Sequence, residues 1–491
     1  MSAQEPVSHV DTAWLRMDRP CNLMQIVGVM LFDGALDIGR LKRTIRVHML
    51  AHDRFRQLAR PHGAGYRWVE DRDFDLDHHL RRAVLPGDAG KDALQAFVAD
   101  LAAVPLNPNR PLWEMHLVDT TLGGQALIVR IHHAIADGIA LVGVLLSMMD
   151  STAEGGGGEE APLLPLASSM QDADEAHWFD KVWAPVGQAL VTSAGLTARL
   201  WGGYLGLLMQ PMKALDYLGT GCDVTAELAR LAAMPDDSPT RFKGEPGSVK
   251  RVAWSEPIAL PEVKAVGKVL GVSVNDMLLS AAAGALREYL AAKGDATDGV
   301  ELRALVPVNL RTPGDARLGN RFGLVALELP VGVENPLSRL YAVRERMDAL
   351  KHSYQAPVSF GILGAFGMLP KLVQTQVFDL LANKATAVMT NVPGPQQALY
   401  LAGARLRQPL FWVPQSGKIG MGVSILSYDG KVQIGLITDK QLVPDPEAIV
   451  GRFTRAFEQL LLLVLMEPWD TLADAAAVER RLSALLGQGC R

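Results

Sequence analysis

The sequence predicts a mixed α/β protein made of two half-domains, and three observations support this. The chain has 491 residues, whereas a single hydrophobic core stops growing at roughly 250–300 residues. Helical and strand-like apolar patterns alternate both before and after a Gly- and Pro-rich break that begins at Ser151. The hydrophobic fraction is 49% and the charged fraction 21%, as in ordinary globular domains and unlike disordered chains.

The break sets the predicted domain organisation. Residues 1–150 form the N-terminal half-domain, residues 151–247 a linker with a helical crossover region, and residues 248–491 the C-terminal half-domain. Consecutive glycines at 155–158 are followed by glutamates and prolines without sustained periodicity, a composition typical of flexible linkers. Over residues 178–233 the pattern favours helices.

In the N-terminal half-domain, periodicity predicts helices and a buried strand. One helix is predicted over 37–56, with Asp37 as its N-cap, and a second over 92–103. The apolar run 125–131 predicts a buried strand. Gly138 permits a tight turn from that strand into a helix over 139–149.

In the C-terminal half-domain, the clearest element is a helix that begins after Ser273 and ends before Gly294. Ser273 is its predicted N-cap, Asp276 is the reciprocal partner, and Gly294 is a natural stop. The pair Asp429-Gly430 predicts a hairpin. The predicted strands are 249–254, 302–308, 322–329, 385–392, 422–428 and 431–438, and the last helices are 446–466 and 472–486.

Charge and cysteine content exclude several classes of function. Lys and Arg total 48 against 53 Asp and Glu, a net charge of −5, so the chain lacks the basic field that nucleic-acid binding requires. Cys21, Cys222 and Cys490 form neither a disulfide framework nor a zinc pattern, which suits a reducing cytosol. The start of the chain lacks a secretion signal, and no uncharged apolar run reaches the ~18–20 residues of a spanning helix. We therefore expect a cytoplasmic protein.

The segment that carries chemistry contains His132-His133 and Asp137-Gly138, at the end of the predicted strand 125–131. Strand alternation places His132 and His133 on opposite faces. A neutral imidazole at a strand end is a good general base because its ordinary pKa of ~6.5 lies near working pH.

Two other interpretations of these histidines remain. Either imidazole could be an ordinary core or surface residue, and His132, His133 and Asp137 are all of metal-ligand type. A metal site is disfavoured because neighbouring strand residues point apart and no further ligand cluster stands nearby. The other pair, His78-His79, is not followed by Asp-Gly and predicts a solvated helix start.

The pattern His-His-x-x-x-Asp-Gly at 132–138 resembles the motif of the coenzyme-A-dependent acyltransferase superfamily, which includes chloramphenicol acetyltransferase and the condensation domains of peptide synthetases. Five further motifs stand in order along nearly the whole chain. They are Pro-Leu-Trp-Glu at 111–114, Ser-Val-Asn-Asp at 273–276, Pro-Val-Asn-Leu-Arg at 307–311, Leu-Gly-Asn at 318–320 and Thr-Asn-Val-Pro-Gly-Pro at 390–395. Together they resemble the bacterial wax ester synthase/acyl-CoA:diacylglycerol acyltransferase family.

This resemblance implies two chloramphenicol-acetyltransferase-like half-domains with a substrate tunnel between them. It implies transfer of a fatty acyl group from acyl-CoA, which is a substrate, to a long-chain alcohol or diacylglycerol, without a cofactor. His133 is then the general base and His132 supports it. Asp137 organises the loop through an arginine that the sequence does not identify, and Gly138 allows the turn.

Other residues have more than one interpretation. Asn275 either positions or stabilises the oxyanion of the reaction, near a helix start that favours negative charge, or is a simple helix-start residue. The turn at 390–395 is expected to be rigid and to line the tunnel, and 111–113 to serve packing. Residues 200–212 and Phe411-Trp412 are candidate contacts with a membrane or lipid-droplet surface, although buried core segments have the same composition.

Two alternative functions stay open. A condensation-domain-like enzyme would use carrier-bound thioesters, but no carrier domain is evident. A non-catalytic lipid-binding relative would not need the intact His133, Asp137 and Gly138. The chain has no Gly-x-Ser-x-Gly nucleophile elbow, and none of its cysteines lies in a nucleophile motif. We therefore expect direct attack on the thioester without an acyl-enzyme.

Overall fold

The computed structural model describes residues 5–63, 65–154, 236–309, 322–351 and 384–467, with residues 234, 320, 359, 477, 478, 480, 481 and 484. Several predictions therefore lie outside the described residues. They are most of the linker, the helices over 178–233, the segment 200–212 and nearly all of the helix 472–486.

The N-terminal segment alternates helices and strands. In chain order they are β1 (Glu5–Pro6), α1 (His9–Met17), β2 (Gln25–Asp33), α2 (Ile38–Thr44), β3 (Gln57–His62), β4 (Gly65–Glu70), β5 (Leu80–Ala83), α3 (Lys91–Ala102), β6 (Trp113–Asp119), β7 (Gln125–His132) and α4 (Gly138–Ser147). The Asp37 cap is confirmed, because its carboxylate accepts a hydrogen bond from the Arg40 amide at 2.9 Å. The helix ends earlier than predicted, since α2 continues only as a π-helical turn over Ile45–Met49.

The C-terminal segment contains the remaining elements. They are β8 (Lys250–Trp254), β9 (Ile258–Ala259), α5 (Leu260–Leu270), α6 (Val274–Ala292), β10 (Leu302–Asn309), β11 (Phe322–Leu329), α7 (Pro336–Lys351), β12 (Ala387–Pro393), β13 (Tyr400–Leu401), β14 (Ala404–Trp412), β15 (Met421–Tyr428), β16 (Lys431–Asp439) and α8 (Pro446–Leu465). The reciprocal bonds of Ser273 and Asp276 cap α6 as predicted. The hairpin is also confirmed, with φ of +48° at Asp429 and +70° at Gly430.

The strands form two large sheets and one small one. The six-stranded sheet has the order β13-β14-β2-β7-β6-β5, and the seven-stranded sheet has the order β11-β10-β12-β15-β16-β8, with β9 also paired to β16. The small sheet is β1-β4-β3. This arrangement of helices and mixed sheets confirms the predicted α/β class.

Strands β13 and β14 belong to the C-terminal segment but complete the six-stranded sheet of the N-terminal segment. β14 pairs antiparallel with β2, and Phe411 lies opposite Gly28. A Cβ on Gly28 would stand 2.5 Å from the Phe411 ring, so any larger side chain here would force that ring to move. The two segments are therefore joined through a shared sheet.

Buried side chains follow the same division. One core packs α5, α6 and α8 on the seven-stranded sheet, and a second packs α2 and α4 on the six-stranded sheet. A third contains side chains of both segments, among them Leu94, Trp254 and Trp412. Trp412 is 1% exposed, so the prediction that Phe411-Trp412 contacts lipid is wrong for Trp412. It is buried because β14 lies inside the shared sheet.

The prediction of a solvated helix start at His78-His79 is wrong for His79. Its imidazole is buried and stacked between the rings of Phe74 and Trp113, at centroid distances of 5.1 and 4.4 Å. Its Nδ1 lies 2.7 Å from the Trp113 carbonyl oxygen. The partner ring belongs to the Pro-Leu-Trp motif, which comes later in the chain, so local sequence does not reveal this packing.

Candidate active site

The motif at 132–138 lies where the central strand β7 meets α4. β7 runs between β2 and β6 and is buried along its whole length. A turn at 133–135 leads to Asp137, whose carboxylate accepts a hydrogen bond from the Ala140 amide at 2.9 Å and so caps α4. The histidines are thus delivered from a rigid strand rather than from a mobile loop.

Gly138, which was predicted to permit a tight turn into the helix, lies at the start of α4. Gly138 is the first residue of α4, and its φ is not in the left-handed region. A Cβ there would meet only Val413 Cγ1, at an ordinary contact distance of 3.7 Å. The turn therefore does not depend on the conformational freedom of glycine at this position.

His133 is enclosed by aromatic rings from both segments. Its imidazole is stacked on the Trp14 ring of α1, with centroids 4.2 Å apart and planes inclined by 23°. The Phe322 ring of β11 lies at 5.4 Å. The His133 amide donates to the Met24 carbonyl at 2.7 Å, and its carbonyl accepts from Asn320 Nδ2 at 2.7 Å. Main-chain bonds on both sides of the residue thus fix its position.

The surroundings of His133 favour the neutral imidazole. Burial lowers its pKa to about 4, against the opposing effect of the Asp137 carboxylate, which favours the charged form. Its Nδ1 is buried without a hydrogen-bond partner among the described residues. A neutral imidazole can accept a proton, so its protonation state is that of a general base.

His132 has different neighbours, as strand alternation predicts. Its Nδ1 accepts a hydrogen bond from the Ala134 amide at 3.0 Å, which assigns the ring proton to Nε2. That nitrogen lies 3.2 Å from Asp18 Oδ2. Both ring nitrogens of His132 are therefore engaged in holding the turn.

Asn275 lies on a separate element, in the first turn of α6. Its side-chain oxygen accepts a hydrogen bond from Asn391 Nδ2 of β12 at 2.7 Å. The structure therefore brings together two of the sequence motifs, 273–276 and 390–395. Among the described residues, Asn275 is not a hydrogen-bond partner of His133. The other predicted site residues, His132, Asp137 and Gly138, are close to His133 along the chain.

Sequence reasoning assigned no role to the residues that contact His133. Asn320 belongs to the Leu-Gly-Asn motif, which served only to mark the resemblance. Asp11 and Trp14 are three residues apart and therefore share one face of α1. That spacing was visible, but nothing in the sequence connected it to a histidine far along the chain.

An apolar cavity of about 30 Å³ adjoins α4, at the boundary between the two segments. Side chains of α4 form one wall, and the end of β12 with strands β14 and β15 forms the other. The lining residues include Val142, Leu145, Leu146, Met149, Val392, Pro395, Phe411 and Tyr428. The turn at 390–395 therefore lines a cavity together with side chains of α4.

In the described part of the chain, no group of three or more His, Cys, Asp or Glu side chains could hold a metal ion. No single described helix is long and apolar enough to cross a membrane, and only the pair α5 and α6, bent by 98°, passes that test together.

The motif, its buried histidine and the two-part fold agree with comparisons to known proteins. Residues 7–278 match the model of the wax ester synthase/diacylglycerol acyltransferase catalytic domain. The chain belongs to this family. Residues 318–461 match the C-terminal domain of the same family, and the chain is accordingly an acyltransferase.

Relatives and solved structures support the same family and fold. A putative diacylglycerol O-acyltransferase of Mycobacterium tuberculosis (strain CDC 1551 / Oshkosh) is 27% identical over 485 residues, which cover 94% of this chain and 91% of the relative. The wax ester synthase/diacylglycerol acyltransferase from Marinobacter aquaeolei VT8 has a TM-score of 0.63 at 21% identity, covering 93% of this chain and 99% of that one. The first condensation domain of the calcium-dependent antibiotic synthetase has a TM-score of 0.58 at 15% identity, covering 97% and 98%. The predicted chloramphenicol-acetyltransferase-like fold of two half-domains is confirmed.

Proposed function

We propose that this acyltransferase moves a fatty acyl group from acyl-CoA to the hydroxyl of a long-chain alcohol or of diacylglycerol, with His133 as the general base. The observation that carries the proposal is the position of His133 at the junction of the two segments, where hydrogen bonds with Met24 and Asn320 hold its main chain and two aromatic rings enclose its imidazole. Burial lowers the pKa of the ring and so favours its neutral form. The family and the names of its relatives support the reaction class. The experiment below distinguishes the two acceptors, the long-chain alcohol and diacylglycerol.

The proposed reaction is a direct displacement. As the hydroxyl oxygen attacks the thioester carbonyl carbon, His133 takes the hydroxyl proton, and a C–O bond forms to give a tetrahedral oxyanion. Collapse of this intermediate breaks the C–S bond, and the proton passes from the imidazolium to the sulfur of coenzyme A. The ester and free coenzyme A leave, and the imidazole is neutral again.

Asp137 has a specific part in this reaction. The imidazolium forms in a buried site, where an uncompensated charge is costly. The Asp137 carboxylate favours the charged ring electrostatically while its oxygen caps α4. We propose that Asp137 stabilises the imidazolium and organises the loop, and that the arginine partner suggested by the family contributes to the second role.

His132 and Asn275 have supporting parts in the proposal. His132 holds the turn through Ala134 and Asp18 and is not the base, because both its nitrogens are engaged. Asn275 is proposed to position the substrate or to donate to the oxyanion from the first turn of α6. Its hydrogen bond with Asn391 fixes the orientation of its amide, which such a donor needs.

The apolar cavity beside α4 is the proposed place of an aliphatic chain. Its lining is apolar and includes side chains of α4, the helix that Asp137 caps. We propose that an acyl chain bound along this helix presents its carbonyl group to His133, and that the cavity belongs to the tunnel between the half-domains. Because both substrates are lipids, peripheral contact with a membrane or lipid-droplet surface is part of the proposal.

The test is release of free thiol from palmitoyl-CoA with panels of long-chain alcohols and diacylglycerols, with products identified by mass spectrometry. Wax ester or triacylglycerol formation that disappears in His133→Ala supports the proposal. Turnover only with acyl groups on a carrier protein would instead support the condensation-domain-like alternative. Binding of acyl-CoA without any turnover would support a lipid-binding relative.

A further inference from the structure

A buried carboxylate, that of Asp11, is linked to His133 through one intervening side chain. Asp11, on α1, is 1% exposed. Its Oδ2 accepts a hydrogen bond from Arg54 Nη1 at 3.0 Å, and its Oδ1 accepts one from Asn320 Nδ2 at 2.7 Å. A buried carboxylate is stable only when it is paired and hydrogen-bonded, and Arg54 and Asn320 supply both conditions.

Asn320 connects this carboxylate to the catalytic histidine. The same Nδ2 that donates to Asp11 also donates to the His133 carbonyl oxygen at 2.7 Å. Both partners can only accept, so the nitrogen rather than the oxygen of the amide must face them. Asn320 Nδ2 therefore donates one hydrogen to Asp11 and the other to His133, and both bonds connect the C-terminal segment to the N-terminal segment.

The ring of His133 contacts the same helix that carries Asp11. Trp14 lies three residues after Asp11 on α1 and stacks on the imidazole. A displacement of α1 would therefore move both the Trp14 ring, which stacks on the imidazole, and the Asp11 carboxylate, to which Asn320 is bonded.

We infer that Asp11, Arg54 and Asn320 form a positioning network that fixes the main chain of His133 and sets the imidazole against Trp14 for proton transfer. This inference rests on the proposed role of His133 as the base. The hydrogen bond that Asn320 Nδ2 donates goes to the main-chain oxygen of His133, and the Asn320 side chain also favours the charged form of the ring. The proposed effect of the network is mainly on geometry, and displacing a reacting group by about 1 Å can cost on the order of 10²-fold in rate.

The experiment uses Asp11→Asn and Asn320→Leu in the full-length chain, with kcat and KM for palmitoyl-CoA measured on folded protein. Asn at position 11 keeps the shape but turns a donor toward Arg54 or Asn320, and Leu at 320 removes both donated bonds. We expect kcat to fall roughly 10–100-fold, with KM changed by no more than about twofold, since substrate contacts are untouched.

A second arm separates positioning from a loss of structure. Each substitution is repeated in the His133→Ala background, where a group that acts through His133 has nothing left to position. We expect no further loss of the residual rate there, because residues that act as a unit are not additive. A further loss of equal size in that background would overturn the inference.

Asp237→Asn is the matched control. Asp237 is also a buried carboxylate, but it accepts from the Arg303 amide and from Thr386 Oγ1, away from His133. We expect it to lower the melting temperature while leaving kcat unchanged. Where Asp11→Asn does not fold, Asn320→Leu and the milder Arg54→Gln carry the test, the latter with a loss of a few-fold.

The outcomes distinguish the two proposals. Normal turnover in His133→Ala would refute the general base, whatever the network variants do. An inactive His133→Ala together with normal kcat in folded Asp11→Asn and Asn320→Leu would leave the base in place and refute the network.

Discussion

The imidazole of His133 lies nearly parallel to the indole of Trp14, with ring centroids 4.2 Å apart. This contact does more than fill space, because it removes water from one face of the ring. Burial is the largest influence on the ring and lowers its pKa to about 4. The packing of α1 against the end of β7 therefore favours the neutral form of this imidazole.

The first prediction concerns the pH dependence of the rate. The base must be neutral, so kcat/KM falls only when the pH approaches the pKa of His133, which is about 4 and below the ordinary value. We expect no inflection near pH 6.5 in the wild type. In Trp14→Ala, water reaches the ring and the acidic limb moves up toward pH 6.5. An unchanged limb in that variant would contradict the role of Trp14.

Replacing each histidine separates base from support. We expect His133→Ala to lose ~10²–10⁴-fold in kcat, the usual contribution of general-base catalysis. His132→Ala removes the bonds with Ala134 and Asp18 and lowers the melting temperature, with a smaller loss of rate. The measurement is thiol release with both variants shown to be folded by circular dichroism. Equal residual rates would count against the assignment.

Local signals in the sequence predicted local structure well. The capping box of Ser273 and Asp276, the Asp37 cap and the Asp429-Gly430 turn each involve residues a few positions apart. Such patterns contain their own partners, so no tertiary information is needed. The bounds of strand β7 were predicted within one residue. This signal is also local, because a continuous apolar run indicates a strand that is buried on both faces.

The sequence also contains local start and stop signals for α5, a helix that was not predicted. Pro261 stands in its first turn, and Gly271 ends it at a φ of +68°, which is the usual arrangement for a helix start and stop.

Contacts between distant parts of the chain could not be predicted from one sequence. Asn320 and Asp11 are 309 positions apart, and only the fold brings them together. The addition of β13 and β14 to the six-stranded sheet could not be predicted either, because the pairing of strands so far apart in the chain has no local signal. For this reason the motifs pointed to His133, whereas the residues that hold it became visible only in the structure.

The stability of the protein should also depend on pH. The pKa of His116 is lowered to about 4 by burial and then by the Arg130 charge, and that of His133 to about 4. The unfolded chain has ordinary values near ~6.5, so it binds these protons first as the pH falls. The stabilisation is complete above pH 6.5 and is lost progressively toward pH 4. Thermal unfolding across this range should show a falling melting temperature, less steeply in His116→Gln.

Asp137 combines a cap and a charge, and two substitutions separate them. Asp137→Asn keeps the cap, because Asn caps helices as well as Asp does, but it removes the charge that favours the imidazolium. We expect it to lower kcat and, through the loop, the melting temperature. Asp137→Ala also loses the cap, at about 1 kcal/mol of stability. Asp37→Ala, at the exposed cap of α2, is the control and should lower stability alone.

Direct attack requires both substrates to be bound together. We therefore expect intersecting double-reciprocal plots when acyl-CoA and alcohol are varied. Parallel plots, or a protein mass increased by one acyl group after mixing with acyl-CoA alone, would indicate a covalent intermediate. Serine substitutions of Cys21, Cys222 and Cys490 provide the control, and each should leave turnover largely intact.

The last prediction places the acyl chain in the apolar cavity. Leu146 lines this cavity from α4 and is only partly buried, so a larger side chain can occupy the space without disrupting the core. We expect Leu146→Trp to reduce kcat/KM for palmitoyl-CoA at least about tenfold, since long chains lose roughly 0.8 kcal/mol for each methylene that is not buried. Butyryl-CoA, which does not reach as far, should be affected much less. Ser147→Trp adds similar bulk on the same helix but does not line the cavity, and it should leave the preference for chain length unchanged. A uniform loss for both acyl lengths in Leu146→Trp would place the chain elsewhere.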